Sequence, residues 1–334
     1  MGMTISTSSN NTPPLTNRVV AFLCNVYLIS MVSYLILRLI FTDTTWWLAL
    51  LNAFAIYTFS PILVLLPIAF MLRLWQTAGR LSILALLGVI WFGPFFQPPH
   101  TQLPSGGTVL TLVTFNAWGN NNTQPDQAVD WLMQQDADII LLQEYTPLIG
   151  EKLDYPEHAM NAGLHLFSRY PIVESSDVNG HQRVVLDINE QQIAIYHVHL
   201  AYPLDHPPRF ELPLLRTISR YDETERNQQI KALLQTLKDE TLPFIVGGDF
   251  NMSQHSLIYS DLALLMGDSF RSTNTGLGAT WSTQMPFPTL RLDYIWHQRT
   301  IHALKTNVGP NLGSDHLPLV AWLELPTTTP VQQD

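Results

Sequence analysis

Three apolar stretches in the first hundred residues constrain this chain more than any other feature. Residues 19–41 are mostly apolar, interrupted by Asn25 and by Arg38 near the end. Residues 46–72 contain no charge at all, and residues 81–96 add a third run. A helix needs about 20 apolar residues to cross the hydrocarbon core of a bilayer. The pattern therefore predicts three transmembrane helices, at about 19–41, 46–72 and 81–96. Pro61 and Pro67 in the second imply a kink or tilt. The third is short, and a re-entrant or core helix is its alternative reading. A cleaved signal peptide fits poorly, because the first run is long and a second follows at once.

Charge divides the chain in the same place. Residues 1–100 hold Arg18, Arg38, Arg73 and Arg80 against one acid, Asp43. The rest keeps 26 of the 27 acids and 13 of the 17 Lys and Arg, a net charge of −13. That balance works against sequence-independent binding of nucleic acid, which relies on cations neutralising phosphates. Arg18 precedes the first run, and Arg73 and Arg80 lie between the second and third. Cationic loops stay in the cytoplasm, so the expected topology places the N-terminus inside and everything beyond residue 96 outside. Arg38 opposes this, but can snorkel to the outer headgroups. The apolar runs carry no paired charges of the kind that mark transport paths. The lone cysteine, Cys24, lies in the apolar part, so no disulfide is expected beyond it. The expected order is a disordered tail (1–18), the helices (19–96), a Pro/Gly linker (97–107), a globular domain (108–325) and a short tail (326–334).

Within 108–325 the patterns alternate between strand and helix. Strands are predicted at 108–115, 138–142, 163–167, 184–188, 193–198, 244–248, 290–296 and 317–325. Helices are predicted at 124–135 and 223–237, the latter with Ile230, Leu233, Leu234 and Leu237 on one stripe. Many strands and few helices imply an α+β fold of two packed sheets with helices outside.

The chemistry-bearing residues cluster at strand ends. Phe-Ile-Val-Gly-Gly-Asp-Phe-Asn, 244–251, is a buried strand followed by Asp249 and Asn251. Its glycines are expected to let the chain leave the sheet, and an extended backbone would put both side chains on one face. A carboxylate beside an amide can orient a water and contact a phosphoryl oxygen or a metal. Asn116, Glu144, and His197 with His199 end three other predicted strands. Asp293 lies in Arg-Leu-Asp-Tyr-Ile and Asp315-His316 in Ser-Asp-His. Singly, each has a plainer reading: Glu144 a solvated strand end, His199 a structural histidine, Asp315 a turn residue, Asp293 an ion-pair partner of Arg291. Gathered at one rim of a sandwich they would make a metal and phosphate site.

The ordered set Thr-Phe-Asn (114–116), Leu-Gln-Glu (142–144), His-Val-His-Leu (197–200), Gly-Asp-Phe-Asn (248–251), Arg-Leu-Asp-Tyr-Ile (291–295) and Ser-Asp-His (314–316) resembles the endonuclease/exonuclease/phosphatase superfamily. Phe-Ser-Arg-Tyr-Pro (167–171), and Arg226 with Gln229, resemble smaller motifs of it. The resemblance implies a four-layered α/β sandwich of the DNase I-like type and a Mg²⁺-dependent phosphoester hydrolase, with Mn²⁺ as an alternative cation. It implies Glu144 as principal metal ligand, aided by Asn116 and Asp315. It further implies that Asp249 activates the water, that Asn251 contacts phosphoryl oxygens, and that His316, held by Asp293, touches phosphate or shuttles a proton. His199 takes the second catalytic-histidine position, with His197 a lesser candidate. One departure stands out: some nucleases of the superfamily have an acid two residues after the first Asn, where this chain has Trp118.

Residues 201–221 combine Pro203, Pro207, Pro208 and Pro213 with Phe210, Leu212, Leu214 and Leu215. This loop either packs on its own domain or meets lipid, and Arg209 and Arg216 within it are candidate substrate-binding residues. Membrane helices followed by an outward-facing domain also resemble bacterial membrane proteins linked to glycopeptide (teicoplanin-type) resistance. That resemblance implies a lipid bilayer as partner and a lipid-linked phosphate, undecaprenyl pyrophosphate, as candidate substrate. A membrane-tethered extracellular nuclease and a sphingomyelinase-like phosphodiesterase are the alternatives.

Overall fold

A computed structural model describes residues 14–99, 105–204, 221–286 and 289–326. Its chain forms two compact units. Of the described residues, one comprises those up to Thr42 together with Ala55–Pro94; the other comprises Asp43–Phe54 and those from Phe95 onward. The first unit contains α1 (Leu15–Phe41), α3 (Ala55–Phe59), α4 (Ile62–Met71) and α5 (Trp75–Phe92). Tyr27 donates from its hydroxyl to the carbonyls of Thr58 and Phe59, both 3.2 Å away. The Arg38 guanidinium lies 4.5 Å from the centre of the Trp91 ring. Many large apolar side chains on α1 and α5 are exposed, Leu39 and Ile90 among them, as suits helices solvated by lipid.

The second predicted span is not one helix. α2 (Trp46–Ala53) ends at Phe54, and the helix beyond belongs to the other unit. No proline causes this break. Instead Ser253 Oγ donates to the carbonyl of Ala53 (2.8 Å), and the Leu257 N–H donates to the Asp43 carboxylate (3.0 Å), so the globular unit holds both ends of α2. Among the described residues, two helices are long and apolar enough to cross a membrane, Leu15–Phe41 and Trp75–Phe96, or three if the broken pair counts as one span.

The globular unit contains two six-stranded sheets. The first uses β1 (Val109–Asn116), β2 (Ile139–Gln143), β3 (Glu157–Asn161), β4 (Leu164–Ser168), β11 (His302–Val308) and β12 (Leu319–Glu324), in the order β11-β12-β1-β2-β4-β3. The second uses β5 (Ile172–Val178), β6 (His181–Ile188), β7 (Gln191–His199), β8 (Phe244–Asp249), β9 (Met266–Asp268) and β10 (Asp293–Gln298), in the order β5-β6-β7-β8-β10-β9. Strands β3, β5, β9 and β11 have no counterpart in the sequence pattern. β5 is mostly solvated and polar, so its alternation is weak.

Leu110, Leu112, Ile139, Leu141, Val184, Ile193, Ile195, Ile245 and Ile295 form the apolar core between the sheets. The alternate residues of the same strands face outward. Val113, Phe115, Ile140 and Leu142 pack with Ala128 and Leu132 of α6 (Pro125–Gln134). Tyr196, Val198, Val246, Tyr294 and Trp296 pack with Ile230, Leu233 and Leu237 of α8 (Thr224–Asp239) and with Leu262 of α9 (Ile258–Leu265). This gives the four layers, helix, sheet, sheet, helix, that the period-two strands and the period-3.6 stripe of α8 require. Between these helices, α7 (Pro147–Gly150) is a single turn.

Gly247 and Gly248 do not release the chain from the sheet, as the sequence reading expected; both lie inside β8. A Cβ on Gly248 would stand 1.9 Å from the Val198 carbonyl oxygen of neighbouring β7, and its φ is +145°. A Cβ on Gly247 would stand 2.6 Å from Leu141 of the facing sheet. The glycines therefore serve close approach, sideways and across the sandwich. Gly248→Ala should cost roughly 3–5 kcal/mol or prevent folding. Gly180→Ala, at a positive φ but with open space around it, should cost only about 1 kcal/mol. Denaturant midpoints of the two variants test this, and equal midpoints would refute the close-approach account.

Candidate active site

Two parallel strand pairs build the site. β1 runs parallel to β2 with Asn116 opposite Gln143, and β7 runs parallel to β8 with His199 opposite Asp249. Parallel pairing brings four C-terminal strand ends to one rim. β10 is antiparallel to β8, so its first residue, Asp293, lies opposite Asp249. β12 is antiparallel to β1 and starts opposite Thr114, which returns the preceding Ser-Asp-His loop to the end of β1. Ser314 Oγ fastens that loop, donating to the Asn116 carbonyl (2.7 Å) and accepting from the His316 N–H (3.1 Å).

Asp249 is buried at the centre. Its Oδ1 accepts the Asn251 N–H (2.8 Å) and its Oδ2 accepts from Asn116 Nδ2 (3.1 Å). The same Asn116 nitrogen donates to Glu144 Oε1 (3.1 Å), so one amide aligns two carboxylates. Glu144 follows the last residue of β2 with φ +47°, which takes it off the strand alternation and toward the rim. His199 Nε2 stands 3.8 Å from Glu144 Oε1 and 3.7 Å from Asp249 Oδ2, short of a direct hydrogen bond to either. His316 donates from Nδ1 to Asp293 Oδ2 (2.8 Å) and points Nε2 at Asp249 Oδ2, 3.6 Å away.

Burial pushes the Asp249 carboxyl above its ordinary range. Burial alone would disfavour an imidazolium at His316, but the carboxylates of Asp293 and Asp249 overcome it and push the pKa up to about 10. A histidine held protonated is a proton donor and a charge for an anion. Among the described residues, one carboxylate–histidine group is compact enough to grip a cation through a ligand atom of each member: Asp249, Asp293 and His316, within 4.8 Å of one another. Its histidine is held protonated by the two carboxylates, which favours a proton-donor role over ligation.

Glu144, His199, Asp249, Asn251, Asp315 and His316 all line one cleft of about 940 Å³. Asn116 and Asp293 are buried (1% and 0% exposed) and touch it from behind through their partners. Asp315 receives the indole N–H of Trp281 on Oδ2 (3.2 Å), while its Oδ1 is buried with no hydrogen-bond partner among the described residues. Burial raises its pKa. Asp293 is not the ion-pair partner of Arg291; that guanidinium bonds Asp268 instead. Arg209 and Arg216 lie outside the described residues.

Two expectations need correction. Asn251 is not in an extended strand: its φ is +47°, its Nδ2 donates to the Leu200 carbonyl (2.9 Å), and its own carbonyl accepts from Arg226 (2.7 Å). It reaches the cleft through a turn that Arg226 clamps, with Glu223 paired to Arg226 at 2.7 Å. His197 shares the face of His199 but not the cleft. It is fully buried, accepting on Nε2 from Gln143 Nε2 (2.6 Å) and donating from Nδ1 to Gln182 Oε1 (3.0 Å). The sequence reading did not single out Trp281 and Tyr202, which also line the cleft. Trp281 sits in a stretch without periodicity, and Tyr202 in the proline-rich loop, so no local pattern marked either.

Across the cleft a buried carboxylate aligned by an amide faces a second carboxylate and two histidines, at one rim of a DNase I-like sandwich. The chain belongs to the Endonuclease/Exonuclease/phosphatase family, whose sequence model matches residues 113–316. Its fold is similar to that of an endonuclease/exonuclease/phosphatase family protein from Bacteroides thetaiotaomicron, at 17% identity and a TM-score of 0.52 over 66% of this chain and 99% of that one. It is also similar to a functionally unknown conserved protein from Enterococcus faecalis V583, at 13% identity and a TM-score of 0.51 over 64% and 99%. No curated protein matches the chain in sequence.

Burial drives the His197 pKa down from 6.5 to about 3. Between those values the unfolded chain binds a proton that the folded one does not. Stability should therefore fall as pH drops below about 6.5, by about 1.4 kcal/mol per unit from His197 alone. Unfolding midpoints at several pH values should fall less steeply in His197→Gln. An unchanged slope would show that His197 is not neutral in the folded protein.

Proposed function

We propose that this chain is a membrane-anchored, metal-dependent phosphoester hydrolase acting outside the cytoplasm on a lipid-linked phosphate or pyrophosphate. The observation that carries the hydrolase reading is the rim itself: Asp249, Glu144, His199 and His316 converge on one cleft, aligned from behind by Asn116 and Asp293. Asp249 accepts a proton from, or orients, the attacking water. His316 faces the phosphoryl group as a charged donor, held in its tautomer by Asp293. His199, between Glu144 and Asp249, adds a second donor, and Asn251 borders the cleft beside Asp249.

The donors suit a hard divalent cation, Mg²⁺ with Mn²⁺ as alternative. Glu144 and the unpartnered Oδ1 of Asp315 offer carboxylate oxygen, and Asn116 keeps Glu144 aligned. Bound there, such a cation supplies Lewis-acid stabilisation of charge on the phosphoryl oxygens.

The membrane reading rests on the N-terminal helices, and the outward placement on the arginine distribution. The make-up of the globular unit supports three crossings. Residues 43–54 and those beyond 95 are the two parts of the chain that one and three crossings would deliver to the same side. Undecaprenyl pyrophosphate is the candidate substrate that the sequence resemblance brings forward. The net acidic charge disfavours the nuclease alternative.

Full-length protein in nanodiscs should release phosphate from a polyprenyl pyrophosphate in the presence of Mg²⁺. Activity should vanish with EDTA and return on adding the metal. Glu144→Gln and Asp249→Asn should each lower kcat by roughly 10²–10⁴-fold. Cleavage confined to plasmid DNA, lost in the same variants, would make the protein a tethered nuclease. Cleavage confined to a sphingomyelin-type diester would make it a phosphodiesterase.

A further inference from the structure

Beside the catalytic cleft lies a second cavity of about 410 Å³, and its lining is almost entirely apolar. α2 and the residue after it supply one side through Leu50, Leu51 and Phe54. Residues around the rim supply the other, with Leu204, Leu290 and Leu292. Among the described residues, its only polar side chains apart from tyrosine and tryptophan are Asn251 and Ser253. Asn251 and Ser253 are both occupied, by the Leu200 and Ala53 carbonyls.

Three residues, Tyr202, Asn251 and Trp281, line this cavity and the catalytic cleft alike. A ligand in one is therefore next to a ligand in the other. Polar groups of the shared wall are committed outside the cavity: Trp281 turns its N–H to Asp315, and Asn251 its amide to the Leu200 carbonyl and its backbone N–H to Asp249. The size falls within the range of small-molecule pockets, and among the described residues the walls are dominated by aliphatic and aromatic carbon. They match a hydrocarbon chain, whose burial away from water is favourable with each added CH₂.

We propose that this cavity takes the first part of the alkyl or isoprenyl chain attached to the phosphate being hydrolysed, so that α2 acts as a chain-binding element of the active site. The proposal rests on the hydrolase reading and extends it. It explains why an apolar helix of eight residues stays with the globular unit instead of continuing into the next helix. The substrate is then an amphiphile, with its phosphate at the carboxylate–histidine rim and its chain against Leu50, Phe54 and Leu290.

The test is a series of n-alkyl phosphates of four to sixteen carbons, hydrolysed by full-length protein in nanodiscs, for wild type, Leu50→Gln and Leu290→Gln. Partition into the bilayer is the same for all three proteins, so the readout is the ratio of long-chain to short-chain kcat/KM within each. The ratio between twelve and four carbons should be at least ~10-fold larger in wild type than in either variant. Equal ratios in all three overturn the chain-binding role and leave the hydrolase reading intact. If no member is turned over, the hydrolase reading fails on these esters, and competition binding of butyl- and dodecylphosphonate decides the cavity separately. A dodecyl preference lost in both variants supports it; a preference that persists in both, or none in wild type, overturns it.

Discussion

The interior between the two sheets changes character along its length, and the site depends on that change. At one end it is aliphatic, with Leu110, Ile139, Ile193 and Ile245. Further along the same inward face come neutral polar residues: Thr114, Gln143 and His197, with Gln182 of β6 beside them. Gln143 ties the layer together, bonding Thr114 Oγ1 at 3.0 Å and His197 at 2.6 Å. At the rim come Asn116, Asp249, Asp293 and His199. Each step is two residues on in a strand, so the gradient is written in period-two positions and read out by sheet packing.

This gradient makes buried charge tolerable. A carboxylate placed directly on an aliphatic core would face desolvation of several kcal/mol without partners. Here Asp249 meets an amide, a backbone N–H and a protonated imidazole. The polar layer beneath supplies dipoles and stays neutral: burial keeps His197 from taking a proton, and it already has a partner on each ring nitrogen. The result is a rigid cluster whose charges are set before any substrate arrives, the arrangement that electrostatic catalysis requires.

Much of this was readable in the chain. Apolar runs marked the membrane-suited helices, and short β-rich runs ending in Asn116, Glu144, His199 and Asp249 marked the rim. The outer helix α8 was legible from its stripe. What failed did so for local reasons. His197 and His199 have the same periodicity, and only depth in the sandwich separates a structural histidine from one facing the cleft. The glycines of β8 read as a turn because close approach of a neighbouring strand leaves no trace in their own sequence. Asn251 and Glu144 escape strand alternation through single left-handed residues, which pattern reading does not foresee.

The sequence by itself determined the class of fold, the family and the identity of the residues at the rim, because each depends on local periodicity and on ordered motifs. The tertiary structure decided which of those residues share a cleft, that His316 is held charged, and that α2 leaves the apolar helices to join the globular unit. Those outcomes depend on contacts between residues far apart in the chain: Asp293 with His316, Asn116 with Asp249, Ser253 with Ala53. Their free energies arise from burial and pairing that no local window of sequence contains.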